Sequence, residues 1–216
     1  MGLDLSKPIT YLITSGETTA ATTPSTDDFA SLLKLISAAV AAGVNLIQLR
    51  EKNLTARVLF ELALRAVALT TGTATRLLVN DRSDIARAVG ADGVHLTASS
   101  LSAAIVRRTF GADFLIGVST HSLDEARAAQ ADGADFAVFG PVFETASKRV
   151  YGEPVGLKTF ADVATALAPF PILVLGGVTI DNARDCVRAG AAGIAGISLY
   201  NQGHDLKRVV QLVQAM

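Results

Sequence analysis

The sequence predicts an α/β protein, a single-domain (β/α)8 barrel spanning residues 1–216. Three observations carry this: strand-like runs without polar alternation, amphipathic segments between them, and eight of each. The runs are ITYLIT (9–14), VNLIQL (44–49), RLLVN (76–80), GVHL (93–96), FLIGV (114–118), DFAVFG (135–140), PILVLG (171–176) and AGIAGIS (192–198). Parallel strands covered on both faces read this way, because neither side points at water. The helical segments lie near 28–42, 54–70, 82–89, 101–110, 122–132, 157–167, 179–189 and 205–215. Ser122 and Thr179 stand where an N-cap is needed. Ala-Gly or Asp-Gly closes many helices just before the next strand, as expected of a left-handed glycine stop. A doubly wound open sheet alternates in the same way, but eight units favour closure.

Composition narrows the function classes. Lys and Arg total 19 against 20 Asp and Glu, a net charge of −1, so nothing favours nucleic acid or an anionic membrane as partner. Any anion site must be local. Cys186 is the one cysteine, which excludes an intrachain disulfide. The start, MGLDLSKPIT, lacks signal-peptide order, and no apolar run approaches the roughly 18 residues of a membrane span. A soluble, cytoplasmic protein is expected, and a homo-oligomer is compatible with the composition.

In a barrel the carboxyl ends of the strands converge on one mouth, where chemistry is found. Strand 2 delivers Gln48, Arg50 and Lys52, which alternation is expected to turn the same way. Strand 3 ends in Asn80-Asp81-Arg82, strand 4 carries His95 and a Thr-Ala-Ser-Ser turn, and strand 5 brings Ser119 and His121. Strand 6 leads to Thr145, Ser147 and Lys148, strand 7 to Gly176-Gly177, and strand 8 to Ile197-Ser198. Arg50, Lys52 and Lys148 supply positive charge, Gln48 and Asn80 can orient a ligand, and glycines let backbone N–H groups approach an anion. Asp81 is the acid placed to hold Mg²⁺ together with phosphate oxygens. Two long connections, SGETTAATTPSTDD after strand 1 and PVFETASKRVYGEPVG after strand 6, read as functional or mobile loops.

Each signal has a plainer reading. A charge triplet after a strand is usually a solvated strand end, and a Gly-Gly turn is usually structural. His95 reads as a packed, hydrogen-bonded histidine, His204 as surface, Asp84 as a helix-dipole partner and Cys186 as a small core residue. Joint appearance at seven strand ends on one face is what favours a phosphorylated ligand.

The motifs QLREK, NDRSDIARAVGADGVHL, GVSTHS, GADFAVFGPVFETASK, LGGVTIDN and GAAGIAGIS together resemble the thiamine phosphate synthase family, which includes thiazole tautomerase relatives. The resemblance implies a transferase of thiamine biosynthesis. It would join hydroxymethylpyrimidine pyrophosphate to hydroxyethylthiazole phosphate, with Mg²⁺, giving thiamine phosphate and pyrophosphate. By the same resemblance Gln48, Arg50, Lys52, Asn80 and Lys148 hold the pyrimidine pyrophosphate, and Asp81 is a Mg²⁺ ligand. Ser119 lies near the leaving pyrophosphate, while Thr145, Ser147, Gly177, Ile197 and Ser198 contact the thiazole phosphate. Ser119, His121 and Lys148 form the expected catalytic set.

One departure stands out. Ser100 occupies the position where the family carries a second metal-binding carboxylate, and a hydroxyl is a poorer Mg²⁺ ligand. Asp92, at the opposite end of strand 4, is predicted not to replace it. The tautomerase relatives also lack that acid and isomerise a thiazole carboxylate phosphate with a histidine matched by His121. Glu144 leans toward that branch and is a candidate acid or base; the intact Gln48/Arg50/Lys52 and Asn80-Asp81-Arg82 sets lean toward the synthase. A non-catalytic barrel that binds thiamine precursors is the reading of another class.

Overall fold

The computed structural model describes residues 3–144, 153–201 and 205–216. Eight parallel strands close into a barrel in sequential order, β8 pairing back onto β1. The elements are β1 (Ile9–Ile13), α1 (Asp27–Ala42), β2 (Leu46–Leu49), α2 (Ala56–Thr70), β3 (Arg76–Asn80), α3 (Ser83–Val89), β4 (Gly93–Leu96) and α4 (Ala103–Phe110). There follow β5 (Leu115–Thr120), α5 (Leu123–Ala131), β6 (Phe136–Phe139), α6 (Gly156–Leu167), β7 (Ile172–Val174), α7 (Ile180–Arg188), β8 (Gly193–Gly196), α8 (Ser198–Asn201) and α9 (Leu206–Gln214). The predicted barrel is therefore the fold. The one-turn α8 is an addition to the expected pattern, and Asn201 at its end donates from Nδ2 to the Ile13 carbonyl at 3.0 Å.

The unbroken apolar runs have the cause expected of them. Ile9, Tyr11, Ile13, Leu46, Leu78, Phe136, Val138 and Leu173 pack together inside the barrel. The residues between them, such as Leu12, Ile47, Val79, Ile116 and Phe139, join the apolar faces of the helices. Bulky inward rings need small neighbours. A Cβ at Gly117 would lie 2.4 Å from Phe136 Cζ and 2.8 Å from His95 Nδ1, so glycine there makes room for both rings.

Local capping follows the sequence. Ser122 Oγ accepts from the Glu125 amide, and Thr179 forms a capping box with Asn182. Gly43 and Gly90 take left-handed conformations at the ends of α1 and α3.

A second regularity was not foreseen. The residue preceding β2, β4 and β6 is Asn45, Asp92 and Asp135, and each reaches back to the start of the preceding strand. Asn45 Oδ1 accepts from Thr10 N at 2.9 Å, Asp92 Oδ2 from Leu77 N at 2.9 Å and Asp135 Oδ2 from Ile116 N at 2.7 Å. Arg76 and Arg107 pair with the two aspartates at 2.8 and 2.7 Å. Ala192 holds the corresponding place before β8. These side chains close amide groups at the amino end of the barrel, the face opposite the mouth. Among the described residues no helix is long and apolar enough to cross a membrane.

Candidate active site

The inward polar side chains gather at the carboxyl ends of β2 to β5. Gln48 is 2% exposed and His95 is 2% exposed, both on inward positions. Asn80 pairs in register with His95, and His95 with Gly117, two residues before Ser119. Tyr11, fully buried on β1, places its hydroxyl 3.1 Å from His95 Nδ1. His95 Nε2 lies 2.9 Å from Ser119 Oγ. The expected packed histidine is thus the middle of a three-residue chain. Burial pushes its pKa from 6.5 down to about 3, so the ring is neutral at physiological pH. Burial also drives the Tyr11 hydroxyl well above its ordinary range, while Gln48 beside it opposes the shift. Gln48 Nε2 is buried beside the Tyr11 hydroxyl but makes no well-aligned hydrogen bond among the described residues, so a ligand can take up this donor.

The charged end of β2 divides in a way that alternation alone did not predict. The strand stops at Leu49. Arg50 is half-buried, with Nη1 3.5 Å from the Ser15 carbonyl, and its amide donates to Thr14 Oγ1 at 2.9 Å. Lys52 lies in the turn beyond and is exposed, so the period of two that turns Gln48 inward no longer governs it. Between them Glu51 is only 3% exposed and accepts four hydrogen bonds from the β1–α1 loop. The sequence reading passed over Glu51 and Tyr11. A Thr-rich loop facing a buried acid is a signal for Glu51 only once the two are known to be neighbours.

Asp81 leaves β3 with φ +63°, a left-handed conformation rare outside glycine, and is exposed. Its amide is held by the His95 carbonyl at 2.8 Å. Arg82 forms a two-pronged pair with Asp84 at 2.8 and 2.6 Å, which lowers the Asp84 carboxyl below its usual range. Asp84 therefore serves this pair as well as the first turn of α3.

Ser100 Oγ accepts from the Thr97 amide at 2.8 Å and so closes the β4–α4 turn. A crevice of about 350 Å³ opens beside it between α4 and α5, with Leu96, Ser100, Val118, Ser119 and Glu125 in its wall. Asp92 is engaged by Arg76 and Leu77 at the far end of the barrel, as expected. Among the described residues no group of three or more His, Cys, Asp or Glu side chains could hold a metal ion. The one carboxylate in place, Asp81, suits a Mg²⁺ ion that shares its ligands with phosphate oxygens, rather than a cage built wholly of protein groups.

His121 is exposed just past β5 and donates from Nδ1 to the Gly140 carbonyl, while its amide donates to Glu125 Oε2 at 2.6 Å. With Nδ1 carrying the proton, Nε2 of the neutral ring keeps its lone pair. After β7, Gly177 takes φ +64°, and a Cβ there would sit 2.4 Å from the Glu144 carbonyl oxygen. The glycine pair thus seats the start of the β6–α6 loop, where Phe143 N donates to Gly176 O at 3.0 Å. Glu144 is exposed, Ile197 packs on the barrel interior, and Ser198 is exposed at the start of α8. Cys186 is buried in the core, its thiol pushed up to about 11 by burial. Thr145, Ser147, Lys148 and His204 lie outside the described residues.

Comparison with known proteins agrees with the fold. The family described as thiamine monophosphate synthase matches residues 19–199. A thiamine-phosphate synthase of Moorella thermoacetica is 43% identical over 166 residues, 77% of this chain and 79% of that protein. One of Roseiflexus castenholzii is 41% identical over 168 residues, 78% of this chain and 73% of that protein. The solved thiamine phosphate pyrophosphorylase of Pyrococcus furiosus superposes with a TM-score of 0.80 at 27% identity, covering 98% of this chain and 96% of that one. With a polar floor inside a closed barrel and matches of this extent, the chain belongs to the thiamine monophosphate synthase family.

Proposed function

We propose that the barrel is a thiamine-phosphate synthase, a transferase that joins hydroxymethylpyrimidine pyrophosphate to hydroxyethylthiazole phosphate. Family membership supports the reaction. The observation that supports the site is the floor of Gln48 and His95, both buried, with Ser119 bonded to His95 and Arg50 two residues past Gln48. In the coupling the bond between the pyrimidine methylene carbon and the pyrophosphate oxygen breaks, and its electron pair leaves with pyrophosphate. The thiazole nitrogen then donates its lone pair to that carbon. Neither step needs a covalent enzyme intermediate, so the protein acts by positioning and by neutralising departing charge.

Arg50 and, from the exposed rim, Lys52 face the pyrophosphate; Lys148 completes the positive set. Gln48 and Asn80 orient the pyrimidine, and Ser119, held by His95, donates to the leaving group. Gly177, Ile197, Ser198, Thr145 and Ser147 receive the thiazole phosphate. Mg²⁺ held by Asp81 and the pyrophosphate oxygens would supply further charge neutralisation when bound. The reaction needs no membrane and no nucleic acid, and a cytoplasmic setting suits it.

A second reading rests on His121, whose fixed Nδ1–H leaves Nε2 as a base. It is proton transfer on a thiazole carboxylate phosphate, without metal. The two separate in one experiment: pyrophosphate release from the two synthase substrates, with and without Mg²⁺, for wild type and Ser100→Asp. Mg²⁺-dependent release by the wild type is expected, with the metal requirement lowered about tenfold in Ser100→Asp by the added carboxylate. Release by neither protein overturns the synthase reading and leaves isomerisation at His121 to be assayed.

A further inference from the structure

We propose that Glu51 is a positioning residue. Its carboxylate latches the β1–α1 loop onto the end of β2 and thereby aims the Arg50 guanidinium into the mouth. Residues around it meet in one small region. Thr14 Oγ1 donates to Glu51 Oε1 and Thr18 Oγ1 to Oε2, each at 2.6 Å. The amides of Gly16 and Thr18 add longer bonds to the same two oxygens, at 3.3 and 3.4 Å. The hydroxyl contacts have the length of charge-assisted bonds, and Thr18, like Glu51, is only 3% exposed. Asn53 adds a bond from Nδ2 to the Thr18 carbonyl at 2.9 Å.

The loop held this way is the surface against which Arg50 rests. Ser15 lies between two anchored residues, and its carbonyl is 3.5 Å from Arg50 Nη1. Gly16, at φ +77°, would bring a Cβ within 2.9 Å of the same Nη1 atom, so the loop backbone and the guanidinium are in direct apposition. The chain of contacts runs from Glu51 through Gly16 to Ser15 and on to Arg50. An ionised group removed from water is costly unless every acceptor site is used, and the four donors from a single loop meet that need. Filling the space with an apolar side chain would pack the core without tying the loop. The carboxylate does tie it.

Aiming of Arg50 at an anion rests on the function proposed above, whereas the latch itself does not, so the test has two arms. The first is hydrogen exchange across residues 15–26 of the full chain; the second is calorimetric binding of inorganic pyrophosphate. Glu51→Gln keeps the shape of the side chain and loses one acceptor oxygen. It should speed exchange of the Gly16 and Thr18 amides about tenfold and weaken pyrophosphate about tenfold, with β3 to β6 protection unchanged. Thr18→Val should reproduce the effect and Thr18→Ser should restore it. In an Arg50→Ala background Glu51→Gln should add little to the loss of binding, because it acts through that residue. Unchanged loop exchange, or protection lost across the whole barrel, overturns the latch. A loosened loop with undiminished binding, or additive losses with Arg50→Ala, overturns the aiming of Arg50. Failure of the wild type to bind pyrophosphate counts against the proposed function and against aiming, while the exchange arm still decides the latch.

Discussion

His95 Nε2 and Ser119 Oγ stand 2.9 Å apart on adjacent strands, and the opposite ring nitrogen is engaged by Tyr11 at 3.1 Å. A neutral imidazole carries one N–H, so the two ends of this chain are coupled. If Ser119 donates to Nε2, then Nδ1–H donates to Tyr11; if Tyr11 donates, Nε2–H donates to Ser119 and leaves the serine hydroxyl hydrogen for a ligand. Under the proposed function, the second arrangement is the one that would serve a departing pyrophosphate. Ser119→Ala should lower kcat for pyrophosphate release about a hundredfold, the scale of losing one aimed donor. The double variant Ser119→Ala/His95→Phe should be no slower than Ser119→Ala alone, measured by single-turnover kinetics.

His95 also sets a pH dependence of stability. Its folded pKa of about 3 lies below the ordinary 6.5, so as pH falls the unfolded chain takes the proton first. Stability from this group is complete above about pH 6.5 and is lost on acidification, by up to about 1.4 kcal/mol per pH unit. Urea unfolding between about pH 5 and 6, above the usual carboxylate range, should show this slope in the wild type and lose it in His95→Phe.

Gly177→Ala tests the seating of the β6–α6 loop. The added methyl meets the Glu144 carbonyl and Phe143, and φ +64° disfavours alanine independently of space. A loss of about 1–3 kcal/mol in thermal or urea unfolding is expected. KM for the thiazole phosphate should rise, while KM for the pyrimidine pyrophosphate should stay close to that of the wild type.

Asp135→Ala removes the acceptor for both Ile116 N and Arg107 Nη2 at the amino end of the barrel. The partly buried pair and the freed amide together put the cost at about 2–3 kcal/mol. Asp162→Ala, which breaks the exposed i,i+4 pair with Lys158, should leave urea unfolding unchanged.

The sequence by itself determined the barrel, its caps and the strand ends that line the mouth, because these rest on short-range rules. An apolar run bounded by glycine makes a doubly covered strand wherever it lies, and Thr179 caps α7 through a residue three positions on. The positions of Gln48 and Ser119 near the ends of their strands were legible for the same reason, whereas His95 was read only as a packed histidine and its place between Tyr11 and Ser119 was not. Lys52 lies where that rule stops, past the last ladder pair at Leu49, so alternation no longer fixes the direction of its side chain. Tertiary structure alone decided the partners. Tyr11 and His95 are 84 residues apart in the chain, Thr18 and Glu51 33, and Asp135 and Ile116 19. Those pairings exist because closing eight strands brings particular side chains within hydrogen-bond reach, and local propensity carries no information about that distance.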